Sequence, residues 1–425
     1  MSILLHTLLL NRRKVGNAPG IYSVCSAHPW VLRASVQLAV IDKSPLLVEA
    51  TSNQVNQEGG YTGMLPADFR RLVLDIAAQE GLPEERIILG GDHLGPNPWQ
   101  SLPANEAMQR AETMMEAYAD AGFTKLHLDA SMQCADDKGP LSDQLVAERA
   151  ARLCAAAEKR RKGAHLVYII GTEVPVPGGA TESLTGLEVT SIEAARKTYE
   201  IHRSVFAAQG LGEAWSRVVG MVVQPGVEFN HDSVVDYVPS KALELSSMLN
   251  ETSSLVFEAH STDYQKDASY RNLVVDGFAI LKVGPALTFA MREALFALAA
   301  IETELVDIGE RSRLPEIMEH TMLAKPKYWA SHYHCEAEQQ RILRRYSYSD
   351  RLRYYWTEPP VQHAVAKLLA NLGRTRIPET LLSAMLPEEY LALRQGSIAA
   401  EALPIVLHRI RRSLMPYAAA CRLQE

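Results

Sequence analysis

Eight short apolar or β-branched runs recur along the chain, and a helical pattern follows each one. They are "GIYSVCSAH" (20–28), "PLLVEATSNQ" (45–54), "RIILGGDHLGP" (86–96), "KLHLDAS" (125–131), "HLVYIIGTE" (165–173), "RVVGMVVQPGVE" (217–228), "SLVFEAHSTD" (254–263) and "FAILKVGP" (278–285). Few folds accept such an alternation. Parallel strands need long crossovers, and helices supply them while covering the outside of the sheet. Eight such units within roughly 290 residues match a (β/α)₈ barrel. A doubly wound open sheet is the rival. It favours a glycine-rich turn after its first strand, and here that turn reads "CSAHPWV".

The helical segments carry their own punctuation. "LPADFRRLVLDIAAQEG" (65–81) has Pro in its first turn and Gly at its end, and "NEAMQRAETMMEAYADAG" (105–122) also closes on Gly. "SDQLVAERAARLCAAAEKRR" (142–161) opens on a Ser/Asp cap signal. Segments 191–210 and 285–305 place apolar residues at three- and four-residue spacing. From about 306 the pattern changes to aromatic and basic residues, then to helical stretches at 361–373, 379–386 and 400–424. The expected organisation is a lead-in (1–19), an α/β TIM barrel (20–305) and a helical C-terminal extension packed on it (306–425).

Composition narrows the function class. The 425 residues carry a net charge of −7 and no long basic cluster, so neither a nucleic acid nor a membrane surface is an expected partner. "EKRRKGAH" (158–165) reads as the basic end of a helix. Five dispersed cysteines fit a reducing compartment. The apolar start is too short and wrongly ordered for a secretory signal, and no run approaches the roughly 20 apolar residues of a spanning helix. A cytoplasmic protein is expected.

In barrels of this kind, the chemistry sits at the C-terminal ends of the strands. Those ends offer Ser23, Ser26 and His28; Glu49, Ser52 and Asn53; Asp92 and His93; and His127, Asp129 and Ser131. Glu173, Gln224, Glu228, His231, Glu258, His260, Asp263 and Lys282 complete the set. Acids and imidazoles spread in this way suit a divalent ion such as Zn²⁺, which takes His nitrogens and a carboxylate and keeps one position open. Such an ion polarises a ketone or steadies an enediolate, and Asp92 beside it would move a proton. Asp129 is a second candidate acid. His93 and His260 are the best-flanked imidazoles. His231 lies beyond its strand and is as readily structural as a third metal ligand. Glu173 ends an apolar strand and reads as a site acid or as a salt bridge. His28 reads as structural. His127, between Leu126 and Leu128, is expected on the face away from the site. Glu258 is expected one layer below His260, and Ser261 and Asn53 as substrate contacts.

"LKVGPALTF" (281–289) suits a phosphate: Gly284 permits close approach, Pro285 starts a helix and Thr288 donates. "YSYSDRLRYYW" (346–356), with Arg351, would close over an anion or pack against the barrel wall. Neither a P-loop nor a GxSxG elbow occurs.

"EATSNQVNQEGGYTGM", "GGDHLGPNPW", "GTEVPVPGGA", "VVQPGVEF", "FEAHSTDYQ", "LKVGPALTFAMREALF" and "YSYSDRLRYYW" resemble the family of Z subunits of D-tagatose-1,6-bisphosphate aldolase. The resemblance runs from about Gly20 to beyond Trp356. It implies the barrel of class II aldolases and a phosphorylated ketohexose. It also implies a shared assembly, as an oligomer, with a catalytic Y-type aldolase chain that this chain stabilises without catalysing. The alternative is a metal-dependent 4-epimerase of tagatose 6-phosphate and fructose 6-phosphate. Some members are also named tagatose-6-phosphate kinases, the least favoured activity here. By the same resemblance Asp92 moves protons, His93 and His260 hold zinc, and Glu173 is the mid-barrel acid. The aldolase phosphate segment corresponds to Val283–Thr288, with Gly284 where the aldolases carry a substrate-handling Asn.

Overall fold

A computed structural model describes Leu5 and residues 19–172, 187–252 and 254–422. Eight parallel strands close into a barrel: β1 (Ile21–Cys25), β2 (Leu46–Thr51), β3 (Ile87–Leu94), β4 (Lys125–Leu128), β5 (Val167–Ile170), β6 (Val218–Val222), β7 (Val256–Ala259) and β8 (Phe278–Val283). Each pairs with its sequence neighbours, and β8 returns to β1 through the register Ile21 to Ile280. The α/β TIM barrel read from the alternation is the observed fold.

Helices follow the strands: α1 (Pro29–Asp42), α2 (Pro66–Glu80), α3 (Ala104–Asp120), α4 (Asp143–Arg160), α5 (Ile192–Ala208), α6 (Pro239–Ser247), α7 (Asp267–Val275) and α8 (Pro285–Leu305). Their ends obey local chemistry. Ser142 and Ser191 accept from the N–H groups of Leu145 and Ala194, capping α4 and α5. Gly81 takes a left-handed φ of 79° after α2, which costs glycine nothing. His28 caps α1, its Nδ1 accepting from the Trp30 N–H at 3.2 Å.

Beyond α8 lie α9 (Leu314–Ala324), α10 (Ala337–Tyr346), α11 (Pro359–Arg374), α12 (Glu379–Met385), α13 (Pro387–Arg394) and α14 (Ala402–Cys421). Helix α14 packs along α1, α7 and α8, so the end of the chain covers the seam where the barrel closes. There the Gly20 N–H donates to the Cys421 carbonyl at 3.2 Å. No described helix is long and apolar enough to cross a membrane.

The barrel interior is divided along its axis. Its lower part is a closed apolar plug of Ile21, Leu47, Ile88, Val167, Val256 and Ile280, with Leu5 against it. The upper part is polar and buried. That division decides where chemistry is possible.

Candidate functional site

Strand alternation explains the polar half. Residues two apart share a face. On β4, Leu126 and Leu128 join the outer apolar core with the helices, which turns Lys125, His127 and Asp129 inward. His127 is therefore on the site face, against the sequence expectation. Its apolar neighbours suggest the interior, but in a helix-wrapped barrel they face the helices.

The lower polar layer is a buried ion-pair network. Lys125 Nζ lies 2.6 Å from Glu49 Oε1 and 2.7 Å from Glu258 Oε2. Lys282 pairs with Glu49 and lies 3.1 Å from Asp92 Oδ1 and 3.8 Å from Glu258 Oε1. Ser23 donates to Glu49 Oε2 at 2.7 Å. Gly90 supplies the room, because a Cβ there would stand 2.4 Å from Glu49 Oε1.

Above it, three imidazoles surround Asp92. The ring centroids of His93, His127 and His260 are 5.0 to 5.4 Å apart. His127 Nδ1 is 3.0 Å from Asp92 Oδ1, and His93 Nε2 is 3.7 Å from Asp92 Oδ2. His260 Nε2 is 2.9 Å from Glu258 Oε1, which sits one layer deeper. His93 Nδ1 is held by Asp129 Oδ2 at 2.8 Å, and Asp129 also accepts from the Ser131 hydroxyl. A register shift in the β3–β4 pairing and a φ of 48° at His93 bring consecutive residues, Asp92 and His93, to one cavity. Ser261 follows His260 with a φ of 51°. Left-handed non-glycine residues are costly, and here two of them lie at the C-terminal ends of two functional strands, β3 and β7.

The charges are strongly biased. Burial alone would raise Asp92, but the surrounding imidazoles hold its carboxyl far below the usual range. Burial alone would lower His93, yet Asp92 and Asp129 hold it up at about 9. Burial pushes His260 below its ordinary value, against the pull of Asp92 and Glu258.

The donor set fits a cation. Ligand atoms of Asp92, His127, Glu258 and His260 all lie within 4.8 Å of one another. His127 Nε2 is buried with no hydrogen-bond partner among the described residues. Two imidazoles and two carboxylates suit Zn²⁺ or Mn²⁺.

A cavity of about 570 Å³ opens above this cluster, a size suited to a small metabolite. Asp92, His93, His260, Ser261, Asn53, Gly284 and Thr288 line it, as do Cys25 and Lys282. Two donors expected for phosphate are already committed. The Gly284 N–H donates to Asp263 Oδ1 at 3.0 Å, and the Thr288 hydroxyl donates to Asp350 Oδ2 at 2.6 Å. His231 is not with the other imidazoles. Its Nε2 lies 2.9 Å from the His332 carbonyl and its Nδ1 3.3 Å from Ser347 and Ser349, so it braces the loop after β6 against the extension. Arg351 is buried outside the cavity lining, whereas Arg353 lines it. Glu173 lies outside the described residues.

Lys125, His127 and Arg353 are the residues that sequence reasoning missed. Parity along β4 was the available signal for the first two.

The family described as D-tagatose-1,6-bisphosphate aldolase subunit GatZ/KbaZ-like matches residues 5–422. The chain belongs to this family. A solved structure of this kind, described as a probable tagatose 6 phosphate kinase from Sinorhizobium meliloti 1021, is 51% identical with a TM-score of 0.88. The match covers 95% of this chain and 100% of that one. Fructose-bisphosphate aldolase from Campylobacter jejuni is 12% identical, with a TM-score of 0.47 over 87% of this chain and 91% of its own. The fructuronate-tagaturonate epimerase UxaE from Cohnella laeviribosi is 15% identical, with a TM-score of 0.47 over 94% and 81%. Those two distant likenesses carry no functional weight. For this member of the GatZ/KbaZ-like family, the chemistry has to be argued from the cluster itself.

Proposed function

We propose that the barrel mouth is a working site: a divalent-cation-dependent site for a ketohexose 6-phosphate that interconverts the C4 epimers, tagatose and fructose 6-phosphate. The observation that carries this reading is the convergence of Asp92, His127, Glu258 and His260 below the cavity, with Asp92 and His260 lining it. Buried charges of this density are costly to fold, and a purely supporting subunit gains nothing from them.

The reaction is an internal redistribution of bonds. The O4 proton leaves, the C3–C4 bond breaks, and its electron pair moves toward the C2 carbonyl, giving an enediolate and an aldehyde. The aldehyde turns about its bond to C5, C3 attacks the other face, and the proton returns to O4. Nothing else is consumed. When bound by Asp92, His127, Glu258 and His260, a cation supplies positive charge where negative charge develops. His93, oriented by Asp129 and protonated at neutral pH, would donate to the developing enediolate, and the ionised Asp92 takes the O4 proton and returns it. The apolar plug below and the extension above limit water around the cleaved intermediate.

The second reading is the non-catalytic subunit of a tagatose-bisphosphate aldolase. The family description favours it, and so does Lys282, whose ammonium sits among the carboxylates of Glu49, Asp92 and Glu258.

The test is direct. The purified chain is incubated with tagatose 6-phosphate and Zn²⁺, Mn²⁺ or Mg²⁺, and fructose 6-phosphate is followed. Conversion that His260→Ala abolishes supports the epimerase. No conversion with any metal, together with raised activity of an added catalytic aldolase chain, overturns it in favour of the subunit.

A further inference from the structure

The N-terminus of α8 is the expected place for a phosphate in such a barrel, but the side chains around it are acidic. Asp263 Oδ1 accepts from both the Gly284 and Ala286 N–H groups, at 3.0 and 2.9 Å. Asp350 takes the Thr288 hydroxyl. A phosphate arriving there would displace one carboxylate and lie against another.

The positive wall of the cavity is elsewhere. A short 3₁₀ helix, Arg351–Tyr355, brings two guanidiniums to one phenol. Arg353 Nη2 donates to the Tyr354 hydroxyl at 3.0 Å, and Arg351 Nη1 approaches it at 3.5 Å. Arg353 otherwise donates to the carbonyls of Ser349 and Asp350. Among the described residues neither arginine forms an ion pair, and Arg351 Nε is buried without a hydrogen-bond partner. In a chain of net charge −7, a guanidinium on the cavity wall with no ion pair among the described residues, on which Asp263 and Asp350 act only at longer range, marks a place for an external anion. Burial alone would raise the Tyr354 phenol, but the two guanidiniums bring it below its ordinary value. Tyr61, from the loop between β2 and α2, closes on Tyr354 with ring centroids 4.7 Å apart. Arg353, Tyr354 and Tyr61 all line the cavity that holds Asp92 and His260.

We propose that Arg353, with the phenols of Tyr354 and Tyr61, binds the phosphate of the ketose, so that the C-terminal extension rather than the N-terminus of α8 supplies the phosphate subsite. This deepens the function proposed above and rests on it for the sugar, though not for the anion. The extension would then be part of the site, and phosphorylated sugars would be selected over free ketoses.

Binding separates the two claims. Inorganic phosphate and tagatose 6-phosphate are titrated calorimetrically into the full chain, with no turnover required. Arg353→Gln should weaken both by roughly tenfold to a hundredfold, the effect of losing a charged hydrogen-bond donor. Tyr354→Phe should weaken them less, and Arg353→Lys should recover part of the loss. Thr288→Val should leave both affinities within about twofold, a margin under half a kcal/mol. Because Arg353 also holds two carbonyls, circular dichroism checks folding, and Tyr61→Phe tests the wall without touching that contact. The proposal is overturned if Thr288→Val removes phosphate binding and the Arg353 and Tyr61 variants keep it, or if the wild-type chain binds no phosphate. A chain that binds phosphate through Arg353 but never converts the sugar would sink the epimerase and keep the subsite.

Discussion

The Lys125 ammonium lies 2.6 Å from Glu49 Oε1 in the middle of the barrel, and neither side chain has any exposed surface. The same ammonium reaches Glu258, which holds His260, so one lysine connects the apolar plug to the imidazoles. Removing a single partner from a buried pair leaves an uncompensated charge. Lys125→Met should therefore destabilise the chain by roughly 3–5 kcal/mol. Adding Glu258→Gln should recover part of that loss. Urea unfolding reads both. A single variant as stable as wild type would show that the network carries no such charge balance.

Gly90 makes the pair possible. An added Cβ would meet Glu49 Oε1 at 2.4 Å and Cγ at 2.8 Å. Glu49 cannot swing away cheaply, because Lys125, Lys282 and Ser23 all hold it. Gly90→Ala should cost about 1–3 kcal/mol by overpacking and should displace Glu49 from Lys282. A melting temperature equal to that of wild type would contradict this.

The barrel was legible because its signal is local and repeated: short apolar or β-branched runs, punctuated helices, and the alternation of the two eight times over. Asp92 and His260 were legible because each follows an apolar run at a strand end. His127 was hidden by the same apolar residues that revealed its strand, since those neighbours face helices and not the interior. Arg351 and Arg353 are two residues apart on one short helix, and only the packing of that helix decides which one reaches the cavity. The occupation of the α8 N-terminus by Asp263 depends on a contact across 21 residues, which no motif records.

Asp263 gives a pH signature. Burial pushes its carboxyl up from an ordinary value of 3.8 to about 6, despite the N–H groups it accepts from. The folded state thus holds this proton more tightly than the unfolded one. Its contribution to stability is present below about 4 and is lost as pH rises through about 6, a change of roughly 3 kcal/mol. Asp263→Asn keeps an acceptor for the two N–H groups and has no proton to lose. Relative to wild type it should gain stability between pH 4 and 7, as read by urea midpoints at each pH. Parallel pH profiles for the two proteins would refute the assignment.

His127 decides whether the cluster is built for a cation. Its Nδ1 is 3.0 Å from Asp92, while its Nε2 is buried with no hydrogen-bond partner among the described residues. An unused nitrogen in a closed polar layer costs stability unless something binds it. Asp92, Glu258 and His260 supply the remaining donors within 4.8 Å. His127→Gln should therefore weaken Zn²⁺ or Mn²⁺ binding by about tenfold or more, measured by competition with a chromophoric chelator. His231→Gln should leave it unchanged, because that imidazole is spent on the His332 carbonyl. Equal affinities for wild type and His127→Gln would mean that the orphan nitrogen faces no ion. The Lys125 and Lys282 ammoniums would then be what balances the carboxylates of this cluster.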